Sequence, residues 1–359
     1  MQQDPTRHGR PRRRPSRRAL LGGAAGAVAA GAVGLYAVDR ASGSGGPDDA
    51  VPQHESGSPS AVPTGGYRFE RVTSPDRTVV RDASGNLLAT FTDGARTALL
   101  SGPQRTFSEP RTTDAVVHST AWVRLMSTEW SRGRENTSWF HSWFPATLAD
   151  RSPDVLMTAF EYGDGAPSKY KNGLRYAGDA NFGPRVPGES EDSFHSRDEK
   201  SDFYDYLGIP WTFPDGTHVT PEKERLGDVD CSGFMRLLWG YRMGYPMHDT
   251  NDPGTGLPRR AYAIAKYAPG VVLIPDTNSR PADISMLQPG DLVFFAINIG
   301  KPITVDHCGM YLGIDNEGHP RFYSSRSQAN GPTMGDKAGV ARLDGTGFYA
   351  AGLRVARRL

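Results

Sequence analysis

The feature that most limits what this chain can fold into is a cysteine placed at the head of an amphipathic run. Asp228-Val229-Asp230-Cys231-Ser232-Gly233 leads into Phe234, Leu237, Leu238 and Tyr241, apolar residues at the spacing of one helix face. That spacing predicts a helix whose first turn holds Cys231, with Asp230 as its candidate cap. Two strand-like runs follow in order. The first, 292–295, comes straight after the turn Gln288-Pro289-Gly290-Asp291; the second is 305–313.

The position of the cysteine has a chemical consequence. A helix N-terminus carries about half a positive charge and free N–H groups, which favour a thiolate over a thiol. The same N–H groups can receive a developing oxyanion. A thiolate nucleophile also needs a proton donor for its leaving group, and a histidine from elsewhere in the chain must supply it. His307, inside the 305–313 run, is the best candidate.

Three ordered blocks, Asp230-Cys231-Ser232-Gly233, Gln288-Pro289-Gly290-Asp291-Leu292-Val293-Phe294-Phe295 and His307-Cys308-Gly309-Met310-Tyr311-Leu312-Gly313, resemble those of NlpC/P60 cysteine peptidases, over roughly residues 202–359. The resemblance implies a papain-like α+β core with Cys on a helix N-terminus and His on an antiparallel sheet. It also implies hydrolysis of peptide bonds in peptidoglycan stem peptides, typically between D-glutamate and a diamino acid, through a thioester and without a cofactor or metal. Acyl or amide transfer on the same scaffold, and wall binding by an inactive site, are the alternatives.

The resemblance carries further residues with it. The family's third polar residue, which orients the imidazole, falls on Ser324, with Tyr323 one register away; neither is anionic, so the imidazolium would gain less stabilisation than beside a carboxylate. Asp230 and Ser232 are either helix cap and first turn or the groups that meet a stem peptide's free amine. Trp211 stands where the family has a Tyr and can stack or donate, but cannot act as a phenol. His319 belongs with the turn 315–318, and Glu222 to Arg225 with a charged surface loop.

The chain has 359 residues, more than one catalytic domain needs. Lys and Arg total 41 against 40 Asp and Glu, but seven Arg and one Asp fall in residues 1–18, leaving the remainder net negative by five. That body has no basic field for nucleic acid. The early arginines precede an uncharged run at 19–38, the pattern of an export signal of the twin-arginine kind or of a retained membrane anchor. We divide the chain into that segment (1–42), a polar tether (43–66), a β-rich module with helices (67–162), an irregular connection (163–200) and the catalytic domain (201–359). Within the module, Asp82 to Asn86 reads as a hairpin turn, and Trp139, Phe140, Trp143, Phe144 and Leu148 as a helix face packed on the strands.

Only two cysteines occur. Alternation along a strand puts neighbours on opposite faces, so a His307 that faces Cys231 predicts a Cys308 that faces away from it, with both thiols free.

Overall fold

The computed structural model describes residues 66–298 and 304–359. The signal or anchor expected at 1–42 and the tether at 43–66, Gly66 apart, lie outside the described residues. Among the described residues no helix is long and apolar enough to cross a membrane. All of them belong to one compact unit.

The first layer is an antiparallel meander of five strands in sequence order: β1 (Arg68–Val72), β2 (Arg77–Arg81), β3 (Leu87–Thr92), β4 (Thr97–Ser108) and β5 (Val116–Leu125). The turn between β2 and β3 closes because Asp82 Oδ1 accepts from the backbone N–H of both Ser84 and Asn86, each at 2.9 Å, while Gly85 takes the left-handed φ of 91°. The long β4–β5 pair breaks register between Ser101 and Arg105. Such a bulge bends the ribbon.

Helix α1 (Ser138–Ala149) lies on this sheet, capped by the Thr137 hydroxyl, which accepts from Phe140 N. Phe140, Phe144 and Leu148, spaced by four, are buried against Phe91 and Trp130, whose rings stack at 4.2 Å. The aromatic stripe is therefore core, worth about 1.5–3 kcal/mol for each large side chain removed from water. Helix α2 (Val155–Ala159) starts on the buried Asp154, which also holds Arg105 through two bonds of 2.7 and 2.9 Å.

The chain then forms the small hairpin β6 (Lys169–Lys171) and β7 (Leu174–Ala177), helix α3 (Phe203–Leu207) and the pair β8 (Trp211–Thr212) and β9 (His218–Val219). Helix α4 (Cys231–Met235) continues without a break as a wider π-helical stretch over Arg236–Arg242. Helix α5 (Ala261–Tyr267), β10 (Val271–Ile274), β11 (Leu292–Phe295), β12 (His307–Ile314), β13 (Pro320–Arg326), β14 (Gly331–Thr333), α6 (Phe348–Gly352) and β15 (Leu353–Arg358) complete the fold.

The second sheet is antiparallel with order β10-β15-β11-β12-β13-β14. Its two faces follow the strand period: Cys308, Met310 and Leu312 of β12 share a core with Phe234, Leu237 and Leu238 of the helix, while Tyr311 lies with Phe295, Phe322 and Tyr349 on the other side. A helix headed by Cys231 and packed on an antiparallel sheet, with a β-rich layer before it, is the α+β papain-like arrangement.

The two sheets are tied to each other. The carboxy-terminal Leu359 carbonyl accepts from Arg96 N and Thr97 N at 2.9 and 2.8 Å, and Asn316 N donates to Val116 O. Residues 178–200, most of them without regular structure, pack beside the second sheet. Asn181 bridges to Asp228, three residues before Cys231, and a Cβ on Gly331 would lie 2.2 Å from Ala180 O, so β14 approaches this segment as closely as backbone allows.

Candidate active site

Cys231 is the first residue of α4, and its neighbours fix it there. Asp230 Oδ1 accepts from Gly233 N at 2.7 Å, closing the first turn. Gly233 has no room for a side chain, since a Cβ would sit 2.4 Å from Ser201 O. Asp230 N in turn donates to Ser201 O at 2.9 Å. The motif's glycine and aspartate thus clamp the helix start against the end of the connecting segment.

The thiol is buried and its pKa is pulled down to about 5. The largest cause is a hydrogen bond from the Cys308 thiol; burial opposes it, and His307 adds both charge and a hydrogen bond in the same downward direction. Burial and the adjacent Cys231 push Cys308 well up, so at neutral pH the pair holds one thiolate and one thiol, the latter the donor. Both cysteines are free.

The expectation that Cys308 faces away from Cys231 is corrected here. Alternation itself holds, for Cys308 lies on the α4 face while the His307 ring packs toward Phe295 and Tyr349 at 5.9 and 5.5 Å. What decides the outcome is that the helix start sits over the first residues of β12. Cys231 is approached by Cys308 from the sheet face and by His307 from the strand end.

His307 Nε2 lies 3.2 Å from Ser324 Oγ on the neighbouring strand β13. That leaves Nδ1 as the ring nitrogen available to Cys231. Ser324 Oγ also accepts from Arg326 Nε at 3.2 Å. A guanidinium can only donate, so the Ser324 oxygen serves Arg326 and its hydroxyl hydrogen is free to point at Nε2. The hydroxyl can thus donate to Nε2 of a neutral ring or, with its second lone pair, accept from Nε2–H when both nitrogens are protonated, and in either state it holds Nδ1 toward the thiolate. Tyr323, the other candidate orienter, points elsewhere: its hydroxyl donates to Glu109 Oε1 at 3.5 Å.

Asp230 and Ser232 do not line the cleft beside His307. Both are buried and occupied by Arg259, which donates to Asp230 Oδ2 at 2.7 Å and to Ser232 Oγ at 2.9 Å. Arg259 also lies 3.4 Å from Asp202, which pairs at 3.1 Å with the fully buried Arg236. Asp230 is therefore the cap of α4 and an ion-pair partner that Arg259 covers. Trp211 is placed away from the cleft as well, edge-on to Phe203 and Tyr241 at 5.2 and 6.0 Å. His319 pairs with Asp344 at 2.7 Å in the turn region. Within the charged loop, Arg225 departs from the surface reading: it is buried and holds Asp198 and Glu222 at 2.6 and 2.7 Å.

A cleft of about 290 Å³ opens next to His307. Asp306, Arg326 and Tyr349 line one side, and Phe182, Phe194 and Glu199 from the connecting segment line the other. Phe194 stacks on Phe348 at 4.9 Å, which pins the segment across the cleft. Burial of its carboxyl first, and then the negative charges of Cys231, Asp230 and Asp306, push Glu199 up to about 8; much of the side chain stays open to water, which moderates the effect. Burial likewise raises Asp306. None of these wall residues belongs to a motif, and their only sequence signal is that the aromatics interrupt an otherwise Gly-, Pro- and Ser-rich stretch.

A buried, acid-shifted thiol at a helix start, facing an imidazole from an adjacent antiparallel sheet, is the arrangement of a papain-like cysteine hydrolase. Residues 215–331 match the model of the NlpC/P60 family, and the chain carries an NlpC/P60 domain there. Members of this family are generally cell-wall peptidases, usually cysteine-dependent hydrolases.

Two solved structures are similar. One is an NlpC/P60 family protein from Bacillus cereus ATCC 10987, 20% identical, with a TM-score of 0.24, covering 48% of this chain and 41% of that one. The other is a protein similar to a lipoprotein, of the NLP/P60 family, from Staphylococcus aureus subsp. aureus Mu50, 17% identical, with a TM-score of 0.25, covering 62% of this chain and 48% of that one. The chain thus matches less than half the length of either. No curated protein matches it.

Proposed function

We propose that this protein is a cysteine endopeptidase that cleaves stem peptides of peptidoglycan, with Cys231 as nucleophile, His307 as its acid and base, and Ser324 as the group that orients the imidazole. The observation that carries this reading is the Cys231 thiol itself, drawn to about 5 at a helix start with His307 alongside. In this mechanism the thiolate attacks the scissile carbonyl, and N–H groups at the start of α4 receive the oxyanion. His307, protonated on both ring nitrogens opposite the thiolate, gives its Nδ1 proton to the leaving amine and becomes neutral imidazole while a thioester remains on Cys231; water then gives a proton to Nδ1 as it attacks the thioester, which releases the acid and restores the thiolate and the imidazolium. The bond between D-glutamate and a diamino acid is the expected target by resemblance to the family. The basic and then uncharged amino-terminal sequence supports action outside the cytoplasm, either released or anchored at the membrane.

Digestion of defined muropeptides with the 43–359 protein, with new termini read by mass spectrometry, tests the reading. A single new free carboxylate and amine, lost in Cys231→Ala, is the expected result. Transfer of the acyl group to an added amine in place of hydrolysis would assign the chemistry to the transferase alternative, and no turnover of any fragment would remove the enzymatic reading.

A further inference from the structure

A second cavity, of about 420 Å³, lies between the first sheet and the end of β12 opposite His307, where Tyr311, Gly313 and Ile314 reach it. Its size falls in the range of small-molecule sites, roughly 300–1,000 Å³. Most of its wall is apolar, with Val79, Leu99 and Ile284 among the lining residues. Two polar groups in that wall are unpaired.

The first is Arg77 on β2, only 6% exposed, which makes no side-chain hydrogen bond or ion pair with the described residues and whose Nε is buried without a partner among them. Its nearest candidate counter-ion, Asp291, is fully engaged: Arg358 holds both its oxygens at 2.8 and 2.7 Å, and Gln288 N adds a third bond. Arg77 therefore leaves one uncompensated positive charge against a closed ion pair. Burial, and then repulsion from Arg358, push the Arg77 guanidinium down, so its surroundings penalise the cation as they stand. The second is Thr120, whose buried Oγ1 has no partner among the described residues. It sits between Ser119 and Ala121 at the bulge of the β4–β5 ribbon and lines the same cavity.

A buried cation without a partner is costly, and a native chain seldom keeps one that nothing neutralises. We propose that this cavity is a binding site for a small carboxylate carried on an apolar body, held by Arg77 and Thr120. Charge selects the class. One free guanidinium balances a monoanion and matches a carboxylate through two parallel N–H bonds, whereas a phosphate dianion would find Arg358 already neutralised. The apolar wall then takes the rest of the ligand. The site is independent of the chemistry at Cys231.

Two sources share that chemistry, an aliphatic acid and the carboxyl end of a short peptide. Calorimetric titration of the whole protein with octanoate and with N-acetyl-alanyl-alanine, each beside its neutral amide, separates them. At least one acid is expected to bind about tenfold or more tightly than its amide, and to lose that advantage in Arg77→Met, because hydrogen bonds to a charged group are worth that much. Cys231→Ala should bind as the unaltered chain does. Without ligand, Arg77→Met should melt no lower than the parent, since it replaces an unpaired buried cation by an apolar chain of similar length. Thr120→Val gives a second, milder variant with weakened acid binding. Equal binding of acid and amide, no heat from either acid at millimolar concentration, or undiminished acid binding by Arg77→Met would overturn the proposal.

Discussion

The Cys308 thiol draws the pKa of Cys231 down although the two residues come from different elements, a strand and the start of a helix packed on it. The residue that follows His307 thus contributes to the acidity of Cys231. A hydrogen bond to a charged group is worth about 1.5–3 kcal/mol, and about 1.4 kcal/mol corresponds to one pKa unit. Cys308→Val should therefore raise the apparent pKa of Cys231 by about one to two units, which the pH dependence of iodoacetamide alkylation reads directly. Hydrolysis above neutral pH should survive, because His307 remains. An unchanged alkylation profile would show that the thiol contributes nothing.

Cys231→Ala and His307→Ala should each remove nearly all hydrolysis while the melting temperature stays close to the parent's, since groups that act as a unit are strongly non-additive. Muropeptide cleavage by Cys231→Ala protein would sink the mechanism. Ser324→Ala should cost tens of fold or less, because a neutral hydroxyl is the easiest partner for water to replace. It should also free Arg326 Nε of its side-chain acceptor, so a loss of stability without loss of kcat is the outcome that would demote Ser324 to a structural role.

Much of this site is legible in the sequence because its parts are local. The cap at Asp230, the helix face of Phe234, Leu237 and Leu238, and the strand carrying His307 depend on periods of 3.6 and 2 that any reader can count, and the His307–Ser324 contact follows from pairing β12 with β13. The parts that escaped are long-range. Nothing near Asp230 announces that Arg259, 29 positions away, will cover its carboxylate, and alternation along β12 cannot say where a helix start will come to rest. Phe194 and Glu199 reach the cleft through a segment with no periodicity at all, and Arg77 reads as one more polar residue of a strand until the closed Asp291–Arg358 pair beside it is seen.

Glu199 gives a pH signature of its own. Its folded pKa is raised above the unfolded value near 4.3–4.5, so the charged form is disfavoured in the native state. Stability from this group is complete below the unfolded value and declines as pH rises toward about 8. Glu199→Gln should therefore gain thermal stability relative to the parent at about pH 8 and match it at about pH 4, with a modest amplitude because water reaches the side chain. A stability difference of the opposite sign would mean that Glu199 has an attractive partner in the folded state.

The last test separates the two roles open to Asp230. Arg259 is buried, and although burial alone lowers its pKa, Asp230 and Asp202 outweigh that and raise it, as expected of a cation enclosed by two carboxylates. Arg236 closes the network on the far side of Asp202. Removing one member strands a buried charge, which costs about 3–5 kcal/mol, far more than the net worth of the pair. Arg259→Met should accordingly lower the melting temperature by about 10 °C, at roughly 2–4 °C per kcal/mol for a body of this size. Replacing Asp230 and Arg259 together by Asn and Met should recover part of that loss, because the second substitution removes the charge that the first left unpaired. KM for a stem peptide with a free amine and for its acetylated form should change alike in Arg259→Met. A selective fall in KM for the free amine would show that Asp230, once uncovered, can anchor substrate, and that Arg259 normally holds that subsite closed.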